Sequence, residues 1–142
     1  MIPSKKREAG NSPRSFYSMR KEGRDLVPRR MDIWYANLPM RRDSCIQGGK
    51  RPVVIISNNV CNEVSPIITV VPLTRQKKKL SQPTHAVIRD PEGDISVVLA
   101  EQIMTIDRNL LDDRVGKVKN SDCEQIDKAI LVQLGMSGKG DS

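Results

Sequence analysis

The chain has 142 residues and a formal net charge of +7, enough for one domain with tails and too short for two. Its longest aliphatic runs, VVII (Val53 to Ile56) and IITVV (Ile67 to Val71), fall far short of the roughly 18 apolar residues that a membrane-spanning helix needs. No apolar segment follows the basic N-terminus to make a secretory signal, so a cytoplasmic protein with no membrane partner is expected. Cys45, Cys61 and Cys123 are odd in number and widely separated, which fits neither a disulfide framework nor the paired spacing of a zinc site.

Most of the positive charge lies in one place. Residues 1–30 carry nine Lys/Arg against three Asp/Glu, a net +6 that leaves only +1 for the remainder. The first 26 residues, with KKREAGNSPR near their start, offer charge, Gly, Ser and Pro and little to bury, so they read as a disordered basic extension. That extension is either an RNA-tethering arm or a segment upstream of a start at Met19 or Met31, and LVPR (Leu26 to Arg29) also looks like a protease linker. Residues 27–136 are expected to form the domain, and 137–142, GKGDS preceded by Ser137, a loose tail.

Within the domain the blocks are strand-like. Asp32 to Asn37, Pro52 to Ser57, Ile67 to Leu73, His85 to Ile88 and Ser96 to Ile103 are β-branched or aromatic runs separated by Gly, Pro, Asn, Asp and Ser. The spacing has no room for crossover helices, so the strands should join as antiparallel hairpins in a barrel or sandwich. One helix is expected over Asp122 to Leu134, with Ser121 and Glu124 as a capping box, Ile126, Ala129, Ile130 and Leu134 as its apolar stripe, and Gly135 as its stop. That stripe should cover an open edge or end of the sheet.

Two stretches carry candidate chemistry. In QGGKRPVVIIS (Gln47 to Ser57) the paired glycines permit positive φ and close approach of a ligand, and Pro52 holds Arg51 extended. An arginine held this way offers planar forked donors to a phosphate; pairing with a carboxylate at the sheet rim is an equal alternative. In VVPLTRQ (Val70 to Gln76) an aliphatic strand delivers Thr74 into a basic turn. Thr74 is either a strand-end hydrogen bonder or a hydroxyl set beside Arg51. Two basic clusters, Arg41/Arg42/Lys50/Arg51 and Arg75/Lys77/Lys78/Lys79, read as loops, and Lys77 to Lys79 as a solvated run. His85 is the only histidine, and the Asp112/Asp113 pair reads as a solvent-facing loop, so phosphodiester chemistry here would proceed without a histidine couple or a two-metal site. One Phe, one Trp and two Tyr leave no stacking platform of the kind single-strand binders use.

These residues, in this order, resemble the MazF/PemK family of toxins from toxin–antitoxin pairs. The resemblance runs from about Val27 to Gly135, through DIWYANL, QGGKRPVVIISNN, SPIITVVPLT, PTHAVI, VVLAEQIMTIDRNLL and QIDKAILVQLG. It implies a small SH3-like antiparallel β-barrel with a C-terminal helix, a fold shared with the gyrase-poisoning CcdB-like toxins, and a homodimer with RNA bound along the interface. It implies a sequence-specific endoribonuclease needing neither metal nor cofactor, which cleaves single-stranded mRNA to 2′,3′-cyclic phosphate and 5′-OH ends. Arg51 and Thr74 fall on the catalytic arginine and threonine, and Gln47, Gly48, Gly49, Lys50, Arg75 and Gln102 on or beside RNA-contacting positions. A cognate antitoxin with an acidic, disordered segment is implied as partner. Many members carry Ser-Glu where this chain has Cys45-Ile46, which leaves the proton acceptor unassigned. The competing reading is a non-catalytic module of the same fold that binds a protein target such as gyrase.

Overall fold

In the computed structural model, residues 27–77 and 80–136 are described. The basic extension over 1–26, Lys78, Lys79 and the tail over 137–142 lie outside them. The elements in chain order are β1 (Asp32–Leu38), β2 (Gly49–Ile55), α1 (Asn59–Val64), β3 (Ile67–Thr74), β4 (His85–Arg89) and β5 (Ile95–Leu99). A 3-10 turn (Ala100–Gln102) then leads to β6 (Met104–Asp107), a second 3-10 turn (Arg108–Leu110), β7 (Leu111–Lys117) and α2 (Asn120–Gln133).

All pairings are antiparallel. The sheet runs β4-β5-β3-β2-β1-β7, with β6 also on β3. β3 is its hinge: Ile67 to Val70 pair with β6, Val70 to Pro72 with β2, and Leu73 and Thr74 with β5. The bent sheet is the expected architecture, although no ladder among the described residues joins β4 to β7 to close it as a barrel.

Because side chains alternate along each strand, the bend gives the sheet two apolar faces. One core gathers Ile33, Val54, Val71, Leu73, Ile88 and Val98 under Ile126, Ala129 and Ile130 of α2. The other gathers Trp34, Ala36, Val53, Ile55, Ile68, Val70 and Ile106. Thus α2 covers the β4 side, as its stripe requires, but Leu134 is exposed rather than part of the seam.

Several boundaries differ from the sequence expectations. α2 starts at Asn120, with Lys119 as an N-cap that makes no side-chain cap bond. Ser121 is therefore already helical and the expected capping box does not form. The helix ends as expected: Gly135 takes φ 72°, its N–H reaches Val132 O, and Met136 N–H reaches Leu131 O, the paired bonds of a Schellman motif. The run Ser96 to Ile103 breaks after Leu99 into a 3-10 turn, and the chain resumes as β6. Asp112 and Asp113, expected on a solvent-facing loop, are exposed as expected but lie on β7, an edge strand on β1 with two register shifts. Helix α1 was not expected. Six residues are too few for a helical period to show, and the local signal is Asn58, whose side chain accepts from Cys61 N–H at 2.9 Å.

Candidate active site

Two prolines shape the site. Pro52 in β2 and Pro72 in β3 lack the amide donor that a ladder uses. The β2–β3 pairing runs from Ile55↔Val70 to Val53↔Pro72 and stops there. Beyond that point the strand ends part, and Leu73 and Thr74 continue on β5 alone. Arg51, two residues before Val53 on β2, and Thr74, two residues after Pro72 on β3, lie just beyond that last rung. Both line a cleft of about 230 Å³ at the parting, together with Tyr35, Pro52, Leu73 and Val115.

Arg51 and Lys50 are strand residues, not loop residues as expected: Ala36 pairs with Arg51 and Asn37 with Lys50. Adjacent strand positions face opposite ways, and the two cations have different surroundings. Arg51 is half-buried and donates from Nε to Gly48 O at 2.9 Å. No carboxylate pairs with it among the described residues, so the rim ion-pair alternative does not hold and the terminal guanidinium nitrogens remain available in the cleft. Lys50 instead meets Asp112 at 3.0 Å and lies 5.5 Å from the Tyr35 ring. The hydrogen bond and charge of Asp112 push the Lys50 ammonium pKa up.

Thr74 Oγ1 accepts from Gln76 N–H at 3.1 Å, so the hydroxyl is held in place while its own proton can be donated. Arg75, next in the chain, faces an acidic turn between β4 and β5. Its guanidinium contacts Asp90 and Asp94 at 3.1 Å each, and Glu92 as well. Burial pushes the Asp90 carboxyl up, but bonds from Ser96, the Asp94 amide and Arg75 outweigh it and hold Asp90 below its ordinary value. Asp90, Glu92 and Asp94 bring carboxylate oxygens within 4.8 Å of one another, and Arg75 supplies their counter-charge. Asp90 and Glu92 line the same cleft as Arg51 and Thr74. Sequence reading missed this acidic wall; its signal was DPEGD, an acidic turn in an otherwise basic chain.

The loop residues fall elsewhere. Ile46 and Gln47 line a second cleft of about 280 Å³ against Ile67, Met104 and Leu110. Gly48 sits where the loop ends converge, since a Cβ there would lie 2.7 Å from Pro39 O, and Gly49 takes φ 81°. Gln102, in the 3-10 turn rather than a strand, bonds the loop backbone: Oε1 accepts from Gln47 N–H at 2.7 Å and Nε2 donates to Cys45 O at 3.2 Å. His85 is paired with Glu101 at 2.8 Å. Burial raises the Glu101 carboxyl, but the His85 and Thr84 bonds prevail and lower it.

The fold and cleft define a small, bent antiparallel β-sheet protein with an arginine and a threonine presented together at a parting of two strands. The architecture matches MazF of Deinococcus radiodurans with a TM-score of 0.68 at 23% identity, over 79% of this chain and all of that one. It also matches an endoribonuclease solved with its cognate antitoxin from a mycobacterial species, with a TM-score of 0.65 at 25% identity, over 77% of this chain and 96% of that one. Endoribonuclease MazF of Staphylococcus saprophyticus is 36% identical over 111 residues, which are 76% of this chain and 92% of that relative. The family model for PemK-like, MazF-like toxins of type II toxin–antitoxin systems matches residues 29–134, and the chain belongs to that family.

Proposed function

We propose that this toxin-family protein is a cytoplasmic endoribonuclease that cleaves single-stranded mRNA at specific sequences by transesterification, without a metal. The observation that carries the reading is the placement of Arg51 and Thr74 in one cleft, with the arginine's terminal nitrogens paired with no carboxylate among the described residues. In the step, the ribose 2′-oxygen forms a bond to the adjacent phosphorus and loses its proton. The P–O5′ bond breaks, and the 5′-oxygen leaves with a proton as a 5′-OH, giving a 2′,3′-cyclic phosphate. Arg51 stabilises the charge that builds on the nonbridging oxygens, and Thr74 donates to one of them; such preorganised donors supply the larger share of catalysis in charged transition states. A deoxyribose lacks the attacking group, which restricts the reaction to RNA.

The RNA path runs from the cleft over Gln47, Gly48, Gly49 and Lys50 on one side and Arg75 on the other, with Gln102 behind the loop. The protein acts as a homodimer and is restrained by an antitoxin whose acidic segment folds into the same groove. Solved relatives support that partner: the mycobacterial endoribonuclease is bound to its cognate antitoxin, and Deinococcus MazF to MazE. Complementary charge suits such a segment to a cleft presenting Arg51.

The test is incubation of purified protein with a long single-stranded RNA in excess EDTA, comparing wild type with Arg51→Ala and Thr74→Ala. Discrete fragments from wild type and intact RNA from both folded variants support the reading. Diverse RNAs left uncut by folded wild type overturn it and move the search to a protein target.

A further inference from the structure

We propose that Gln102 is a positioning residue: it latches the loop that precedes β2 and thereby aims Arg51, a role that rests on the reading of Arg51 as catalytic. Both ends of its amide are in use, one accepting from Gln47 N–H at 2.7 Å and the other donating to Cys45 O at 3.2 Å. The residue after Gln47 supplies the next link: Gly48 O accepts from Arg51 Nε at 2.9 Å. A continuous path of bonds therefore leads from the turn after β5, through two residues of loop backbone, to the guanidinium in the cleft. Because the bond at Nε restrains the guanidinium plane, moving Gly48 moves the direction in which the terminal nitrogens point.

The loop needs such a latch. Residues 39–46 are all exposed, and the side-chain bond within this stretch, Ile46 N–H to Ser44 Oγ at 3.1 Å, is local. The Gln47 side chain is turned inward, but its Oε1 is buried with no hydrogen-bond partner. A buried acceptor left unsatisfied opposes the arrangement that buries it, so the closed position is held by the Gln102 bonds to the backbone and not by Gln47's own amide. These bonds also bear on the role that resemblance assigns to Gln102. Bidentate reading of a base needs both ends of an amide at once, and here both ends hold the loop.

The experiment compares wild type, Gln102→Ala and Gln102→Glu by three readouts. These are kcat and KM on an oligonucleotide with one cleavage site, the sequence of every cut in a long RNA, and the rate at which trypsin cleaves after Arg41 and Arg42 in the RNA-free protein. With unchanged thermal stability, Gln102→Ala is expected to lower kcat by about ten- to a hundredfold, the scale of a misplaced catalytic group. KM and the cleavage motif should stay nearly constant, and tryptic cleavage should speed up. Gln102→Glu should fall between, since a carboxylate still accepts from Gln47 N–H but cannot donate to Cys45 O. A changed cleavage motif, or a loop no more trypsin-sensitive than in wild type, overturns the proposal. If wild type cuts no RNA, the ribonuclease reading fails, while the tryptic comparison still decides whether Gln102 holds the loop.

Discussion

Arg51 and Thr74 line one cleft, each two residues beyond the last rung that joins β2 to β3. The last rung is Val53↔Pro72, and the two residues beyond it on each strand bring the guanidinium and the hydroxyl to one cleft. Each residue is fixed from its own side, Arg51 by Gly48 O and Thr74 by Gln76 N–H. Neither needs the other for its position. Removing either group should therefore leave the fold intact and weaken catalysis alone. Arg51→Ala and Thr74→Ala are each expected to lower kcat on RNA by about 10²–10³-fold, the loss typical of one donor to a developing oxyanion. Arg51→Lys should restore little, because an ammonium lacks the Nε donor and the planar fork. Single-turnover kinetics alongside a thermal melt measure both halves of this expectation.

Gly48 offers a test that touches no reacting atom. A methyl group at this position would lie 2.7 Å from Pro39 O and 3.1 Å from the Met40 Cα, both backbone atoms that cannot swing aside. Gly48→Ala should displace the loop from β2 and carry the Arg51 acceptor with it. The expected result is at least a tenfold fall in kcat with a small change in melting temperature, measured on the same oligonucleotide.

The acidic turn sets a pH dependence of stability. Asp90 is held below its ordinary value of 3.8 and Glu101 below 4.5. A carboxyl whose folded pKa is depressed binds fewer protons folded than unfolded, so it contributes stability above its unfolded pKa and loses it as pH falls through the folded value. The melting temperature should therefore hold through the range above pH 5 and drop as pH falls below about 4. Asp90→Asn should flatten the acid limb of that curve. A wild-type melting temperature that is unchanged down to pH 2.5 would contradict the assignment.

Arg108 tests the other end of β3. It is 4% exposed, donates from Nε to Ser65 O at 3.0 Å and from its terminal nitrogen to Asn62 O, and so ties α1 to the start of β3. Truncation leaves the buried Asn62 carbonyl and the part-buried Ser65 carbonyl without their charged donor. Arg108→Ala should cost about 3 kcal/mol in stability, read by denaturant unfolding. A loss below about 0.5 kcal/mol would show that water replaces the guanidinium.

The strands that were legible in the sequence are those whose side chains meet a core. Ile33, Val54, Val71 and Val98 announce themselves by residue type, and Arg51, read from RPVV as held extended before Pro52, lies in β2. Asp112 and Asp113 were read as a loop because an exposed edge strand has little apolar pattern to show, and Lys50 opposite Asp112 depends on that strand. Asn59–Val64 was missed because its stability comes from Asn58 and from the buried Asn62, a local network without a hydrophobic period. The partners of Arg75 lie more than a dozen residues away across the β4–β5 hairpin, and no spacing rule relates them. The role of Gln102 was hidden for a similar reason: its two bonds are to the backbone of a loop far away in sequence, which residue type does not encode.

The central claim is that Arg51 and Thr74 serve an attack by the ribose 2′-OH. The most direct measurement uses an RNA oligonucleotide containing one mapped cleavage site and its twin with a single 2′-deoxy substitution at the nucleotide whose 3′-phosphate is cut. The expected result is that both bind equally, only the all-ribose strand is cut, and its 5′ fragment ends in a 2′,3′-cyclic phosphate. Cleavage of the 2′-deoxy strand at the same position and a similar rate would contradict it, because the phosphate would then be attacked by water or another nucleophile.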